Sequence, residues 1–116
     1  MIGRMTLPAT CLCFLVDDST TGPARVLLGR KRRGLGEGKI VGLGGHLEPG
    51  EDGGTAAIRE VEEEAGCTVS PDVLRAAATL TFRFPHRPAW DMDVEVFTAT
   101  RWAGEPVTTD EIVPAW

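Results

Sequence analysis

The chain contains no asparagine, no glutamine and no tyrosine. Any recognition of a base or a sugar must therefore rest on the backbone or on carboxylates, Arg, Lys, Ser, Thr, His or Trp. Histidine is scarce, with His46 and His86 far apart in the sequence, so no zinc-ligand spacing exists. The cysteines, Cys11, Cys13 and Cys67, are three in number. Cys11 and Cys13 would lie on one face of a single strand, where bridging geometry is poor, and none has a partner His to make it a nucleophile. They read as small reduced hydrophobes, which points to a cytoplasmic protein. No run approaches the roughly 20 apolar residues a membrane helix needs. The stretch from Met5 to Val16 alone imitates a leader, but Pro8 interrupts it, Arg4 is its one flanking charge, and it runs into Asp17-Asp18 with no small-residue cleavage site. Positive charge is also short: 12 Lys and Arg against 17 Asp and Glu leave a net charge of −5. That excludes a dedicated surface for a nucleic acid polymer, which needs many cations to displace counterions.

What remains is 116 residues, 42% of them hydrophobic, enough for one packed domain spanning 1–116. Cys11 to Val16 and Val26 to Leu28 read as strands joined by a turn-rich loop. Nine of the 14 glycines fall between Gly34 and Gly54, a density that disfavours a helix and suggests a loop approaching a ligand closely. Thr55 to Ala65 reads as a helix ended by Gly66. Leu80, Phe82 and Phe84 alternate with Thr81 and Arg83 as in a half-buried strand, and Met92, Val94 and Val96 repeat the pattern after a loop from Pro85 to Trp90. A turn at Gly104 to Pro106 leads to a short acidic segment. Strands on both sides of one helix make the class α+β.

That helix violates two rules of charge placement. At about 100° per residue, with Ala57 at zero, Val61, Ala65 and Ile58 fall within roughly 100° and form the apolar stripe. Glu63, Glu60 and Glu64 crowd together on the other side at roughly 240° to 340°, whereas Glu62 near 140° stands apart. A solvated acidic face is the ordinary reading of such a run. Here, however, like charges at i,i+3 and i,i+4 repel by a few tenths of a kcal/mol per pair, and they meet the negative end of the helix dipole. A hard divalent cation held by oxygens, Mg²⁺ or alternatively Mn²⁺, would compensate both penalties. The loop Gly42-Leu-Gly-Gly45-His-Leu-Glu-Pro-Gly50-Glu-Asp-Gly-Gly54 directly before the helix can bring backbone groups to the same ion and to phosphates.

Gly45, then five residues, Glu51, then seven residues, then Arg59-Glu60-Val61-Glu62-Glu63-Glu64-Ala65-Gly66-Cys67 resembles the Nudix box over 23 residues, residues 45–67, with Cys67 in the final aliphatic slot. Lys31 to Lys39, Trp90 to Phe97 and Thr109 to Trp116 are similar to segments of the MutT-like branch, which hydrolyses oxidised purine nucleoside triphosphates. The resemblance implies an α/β/α sandwich around a mixed sheet, with the C-terminal helix of the family expected to be lacking because the sequence stops at Trp116. It also implies a Mg²⁺-dependent enzyme that cleaves a nucleoside triphosphate, such as 8-oxo-dGTP, to monophosphate and pyrophosphate. The alternatives within the family are hydrolysis of ADP-ribose or a dinucleotide, and a nucleotide-binding module without turnover.

Carried over position by position, Glu60, Glu63 and Glu64 match the catalytic, metal-binding acids, the Gly45 carbonyl matches a backbone ligand, and Glu111 matches a further acid from outside the helix. Glu51 and Arg59 match a structural pair that orients the loop. Phe82 and Met92 match positions lining a base pocket, although a sheet core would contain both. The basic run Arg30-Lys31-Arg32-Arg33 is by default a solvated strand end. Its functional alternative is a triphosphate clamp in which Arg30 and Lys31 bind substrate. The partner implied is a small nucleotide, neither a nucleic acid polymer nor a membrane. Val41 stands where relatives place a base-reading Asn, so weak discrimination among bases is expected, and a homo-oligomer or a further segment would be needed to close the site over the base.

Overall fold

The computed structural model describes residues 7–19 and 21–116. Arg4 and Met5 of the leader-like stretch lie outside the described residues, as does Thr20 in the first loop. The elements in chain order are β1 (Ala9–Asp17), β2 (Arg25–Val26), β3 (Leu28–Lys31), β4 (Ile40–Val41), β5 (Leu43–His46), α1 (Gly53–Ala65), β6 (Arg75–Phe82), β7 (Met92–Ala99) and β8 (Ile112–Ala115), with 3₁₀ turns at Pro71–Val73 and Pro88–Trp90. β1 is central to the larger sheet. It pairs in parallel with β7, antiparallel with β5 over Thr10 to Cys13, and antiparallel with β2 at Val16 and Asp17. β6 continues the sheet beyond β7, and β4, β3 and β8 form a second, three-stranded sheet. The expected α+β class and mixed sheet are present, with α1 the one α-helix among the described residues.

α1 forms where the apolar stripe was expected and begins two residues earlier, at Gly53. The Asp52 carboxylate accepts the Thr55 amide at 2.7 Å, capping the first turn. At the other end Gly66, with φ 73°, donates its N–H to the Glu62 carbonyl in the left-handed geometry that glycine tolerates best. Ala57, Val61 and Ala65 are buried as expected, Ile58 is only partly so, and Ala56 joins them. This face packs on β1 and β5, around a core of Leu15, Leu27, Leu43, Val61, Val69 and Ile112. Cys11, Cys13 and Cys67 are buried free thiols within it. No described helix is long and apolar enough to cross a membrane.

Several expectations need correction. The glycine-dense segment is not loop throughout: β4 and β5 run through it. Gly44 permits the close pairing of β5 with β1, because a Cβ there would collide with the Cys11 carbonyl. The expected strand at Val26 to Leu28 is two short strands belonging to different sheets, divided at the buried Leu27. β6 starts five residues before Leu80 and is exposed along its whole length rather than half-buried, because it lies at the sheet edge, away from the surface α1 covers. β8 was not foreseen. Pro114 argues against a central strand, and β8 is indeed an edge strand, pairing only with β3.

Asp52→Ala removes the N-cap acceptor and is expected to lower unfolding free energy by about 1 kcal/mol. Urea denaturation followed by circular dichroism measures it, and an unchanged midpoint would show that the cap contributes nothing to the fold.

Candidate active site

The α1 face opposite the core meets the loop before β8 and the end of β3. Glu60, Glu63 and Glu64 from α1, Thr109, Asp110 and Glu111 from the loop, and Arg33 after β3 line one cavity of about 500 Å³. Glu62 is exposed and takes no part in it. The four acids singled out in the sequence therefore share one cavity.

Arg59 organises the helix side of that cavity. Its guanidinium engages both oxygens of Glu51 at 2.8 Å each, donates to the His46 carbonyl at 3.2 Å, and pairs with Glu60 at 2.9 Å and Glu63 at 3.2 Å. Glu51 also accepts the Glu48 amide at 2.9 Å. The Arg59 bonds, followed by the Glu48 amide, pull the Glu51 carboxyl down to about 2. Gly45 sits directly over the cluster, since a Cβ there would lie 2.7 Å from the Glu60 Oε1.

Glu64 is the most enclosed acid. Its Oε1 accepts the Gly44 amide at 2.8 Å, and its own backbone carbonyl accepts the Thr109 hydroxyl at 2.7 Å. Burial, reinforced by the charges of Glu60 and Glu111 and only partly offset by the Gly44 amide, pushes its pKa up to about 8. Glu111 is held by Arg33 at 2.5 Å.

The acids do not form a preassembled ligand cage: among the described residues no three of them surround one point closely enough to hold an ion as they stand. Arg59 draws Glu60 and Glu63, the Gly44 amide draws Glu64, and Arg33 draws Glu111. The donor set nonetheless fits a hard divalent cation. Carboxylate oxygens share a cavity, and both the burial that raises the Glu64 pKa and the smaller repulsion from Glu60 and Glu111 are what such a charge would relieve.

The other expected residues divide. Lys31 lines a smaller adjoining cavity of about 220 Å³ with Glu60, Glu64, Glu111 and Val41. Arg30 does not join it. Neighbouring residues of a strand face opposite ways, so the side chain beside Lys31 points away, and it is Arg33 that reaches the acids. Met92 lines an apolar cleft of about 410 Å³ with Leu35, Phe84 and Trp90, while His46 and Asp91 contribute polar groups. Phe82, paired with Met92 across β6 and β7, is not part of that lining; Phe84 takes the place expected of it. Trp90 packs edge-on against Phe84, with ring centroids 5.9 Å apart, and lies under the Arg87 guanidinium. Arg33 belonged to a visible basic run, but nothing in the spacing distinguished it from Arg30. The roles of the Gly44 amide and Thr109 had no sequence signal at all.

The raised Glu64 pKa has a sign that can be measured. A glutamate that binds its proton more tightly when folded contributes stability in full below the unfolded value near 4.5, and that contribution is lost as pH rises through about 8. Glu51 and Asp17, lowered to about 2, act in the opposite sense but at more acid pH. In EDTA the melting temperature is therefore expected to fall between about pH 5.5 and pH 8.5, with Glu64→Gln removing most of the slope. A wild-type melting temperature that rises across that interval would contradict the assignment.

Comparison with known proteins places this geometry. The NUDIX domain family matches residues 6–116. The chain is 45% identical over 94 residues to the oxidized purine nucleoside triphosphate hydrolase of Danio rerio, covering 81% of this chain and 58% of that protein. It is 40% identical to the mouse (Mus musculus) protein of the same name over the same shares. The chain thus spans 58% of the length of the curated relatives it matches. The crystal structure of a MutT NUDIX hydrolase from Burkholderia pseudomallei superposes with a TM-score of 0.76 at 23% identity, covering 94% of this chain and 81% of that one. With the sequence match spanning nearly the whole chain and the box running from the end of the glycine-lined strand β5 through the acid-faced helix α1, the chain belongs to the Nudix family.

Proposed function

We propose that this domain is a metal-dependent hydrolase that cleaves a nucleoside triphosphate to the monophosphate and pyrophosphate, with oxidised purines such as 8-oxo-dGTP among its substrates and Mg²⁺, or Mn²⁺, as its cofactor. The observation that carries the reading is the convergence of Glu60, Glu63, Glu64 and Glu111 on one cavity rimmed by Arg33. The names of the 45% and 40% identical relatives point to the substrate class. The three buried thiols suit a reducing, cytoplasmic setting.

In this mechanism the four carboxylates and the Gly45 carbonyl would hold the cation, which when bound neutralises the diphosphate and acidifies a water. Lys31 reaches the phosphates from the β3 side, while the Glu51–Arg59 pair keeps the glycine loop against α1. Water attacks phosphorus in line, the bridging P–O bond breaks, and a carboxylate of the cluster takes the water proton. The apolar cleft of Leu35, Phe84, Trp90 and Met92 suits the flat face of a base.

Glu63→Gln is expected to lower kcat by about two orders of magnitude or more. Glu62→Gln, whose side chain lies outside the cavity, is expected to leave turnover within about twofold. Equal damage from both would refute the placement of the cluster.

Base discrimination is expected to be weak. Among the polar side chains of the cleft, Asp91 already accepts the Phe84 amide and pairs with Arg83, and the apolar Val41 penalises no wrong base by leaving a buried group unpaired. A panel of 8-oxo-dGTP, dGTP, dATP, ADP-ribose and a dinucleotide polyphosphate with Mg²⁺, reading pyrophosphate against phosphate release, tests both the class and the selectivity. The triphosphates are expected to be turned over with kcat/KM values within about a hundredfold of one another. Exclusive turnover of ADP-ribose or the dinucleotide would overturn the substrate class, and no turnover at all would leave a binding module.

A further inference from the structure

The two arginines that neutralise the acid cluster are held very differently. Arg59 is 22% exposed and locked by Glu51, the His46 carbonyl, Glu60 and Glu63. Arg33 is 63% exposed and makes one side-chain bond, to Glu111 Oε1. Its remaining guanidinium donors have no partner among the described residues. Yet Arg33 lines the same cavity as Glu60, Glu63, Glu64 and Glu111.

Glu111 is thus both a member of the acid cluster and, among the described residues, the one side-chain partner of Arg33. We propose that Arg33 is a phosphate-binding residue that exchanges partners. In the free protein it neutralises Glu111, and when a divalent cation is held by the cluster the guanidinium passes to the substrate triphosphate. The inference rests on the metal and triphosphate reading given above and adds to it one residue and a coupling between the two ligands.

Three features favour the exchange. An ion pair this exposed is weak, so little is lost when it opens. Replacing one cation beside Glu111 by another keeps the cavity's charge balanced, and the released guanidinium is planar and forked, matched to phosphate oxygens. The backbone around it need not move: Glu111's carbonyl accepts the Arg32 amide at 2.9 Å, the Thr109 carbonyl accepts the Arg32 side chain at 2.6 Å, and the Thr109 hydroxyl anchors the loop to Glu64. Rotation of the Arg33 side chain alone completes the swap. Arg59 cannot do the same without abandoning Glu51 and the glycine loop.

The consequence is a pair of opposite effects. Mn²⁺ binding is measured by electron paramagnetic resonance on the full chain without nucleotide, for the wild type, Arg33→Ala, Arg33→Lys and Glu63→Gln. Binding of a non-hydrolysable triphosphate analogue is then measured calorimetrically with Mn²⁺ present. Arg33→Ala is expected to bind Mn²⁺ about two- to fivefold more tightly, because the competitor for Glu111 is gone. The same variant is expected to bind the analogue about fivefold or more weakly, with Arg33→Lys recovering part of the loss. A residue that merely supported the fold would weaken both ligands. Mn²⁺ affinity that is unchanged or weaker in Arg33→Ala, or analogue affinity that is unaffected, would overturn the exchange. If at the same time the wild type binds Mn²⁺ and Glu63→Gln does not, the acid cluster stands and only the role of Arg33 falls. A wild type that binds no Mn²⁺ overturns both.

Discussion

The bidentate contact between Arg59 and Glu51 is the interaction on which the site depends. It joins the glycine loop to α1 through two N–H···O bonds of 2.8 Å, and the same guanidinium reaches the His46 carbonyl at the end of β5. Without it, the loop after β5 would lose its tie to the helix, and Glu60 and Glu63 would lose the cation they share. One arginine thus fixes the loop and lowers the repulsion among Glu51, Glu60 and Glu63, which a helix carrying no other cation could not otherwise disperse.

The sheets deliver the second half of the site. Pairing of β3 with β8 brings Arg32 and Arg33 beside Thr109 and Glu111, which lie more than 70 residues further along the chain. The Thr109 hydroxyl then bonds the Glu64 carbonyl, closing a ring from β3 through the β8 loop to the C-terminal half of α1. Close approach is what makes this compact. Gly44 and Gly45 stand where a Cβ would strike the Cys11 carbonyl or the Glu60 carboxylate, so β5 can lie flat against β1 and directly beneath the acids. The site is held by backbone proximity on one side and by two arginines of unequal burial on the other.

Electrostatics separate the acids into roles. Glu51, bonded to Arg59 and the Glu48 amide, stays ionised far below neutrality, whereas Glu64, enclosed and flanked by Glu60 and Glu111, holds its proton to about pH 8. Two glutamates 13 positions apart thus differ widely because one faces an arginine and the other is buried, with its own kind beside it. This strain is local and lies where a cation would remove it, as is usual where function overrides charge pairing.

Local sequence encodes the α+β class, the helix with its apolar stripe and glycine stop, the separation of Glu62 from Glu60, Glu63 and Glu64, and the Nudix resemblance. All of these are encoded by local periodicity or by spacing within 23 residues, where 3.6 residues per turn decides which side chains share a face. It did not determine what depends on contacts between distant strands. The strand character of the glycine segment, the full exposure of β6, the choice of Arg33 over Arg30 and of Phe84 over Phe82, and the anchoring of Glu64 by Gly44 and Thr109 were decided by tertiary structure. For the two arginines and the two phenylalanines the neighbours carry similar chemistry, and where β3 and β6 end, and how the chain turns beyond them, decides which side chain reaches the site.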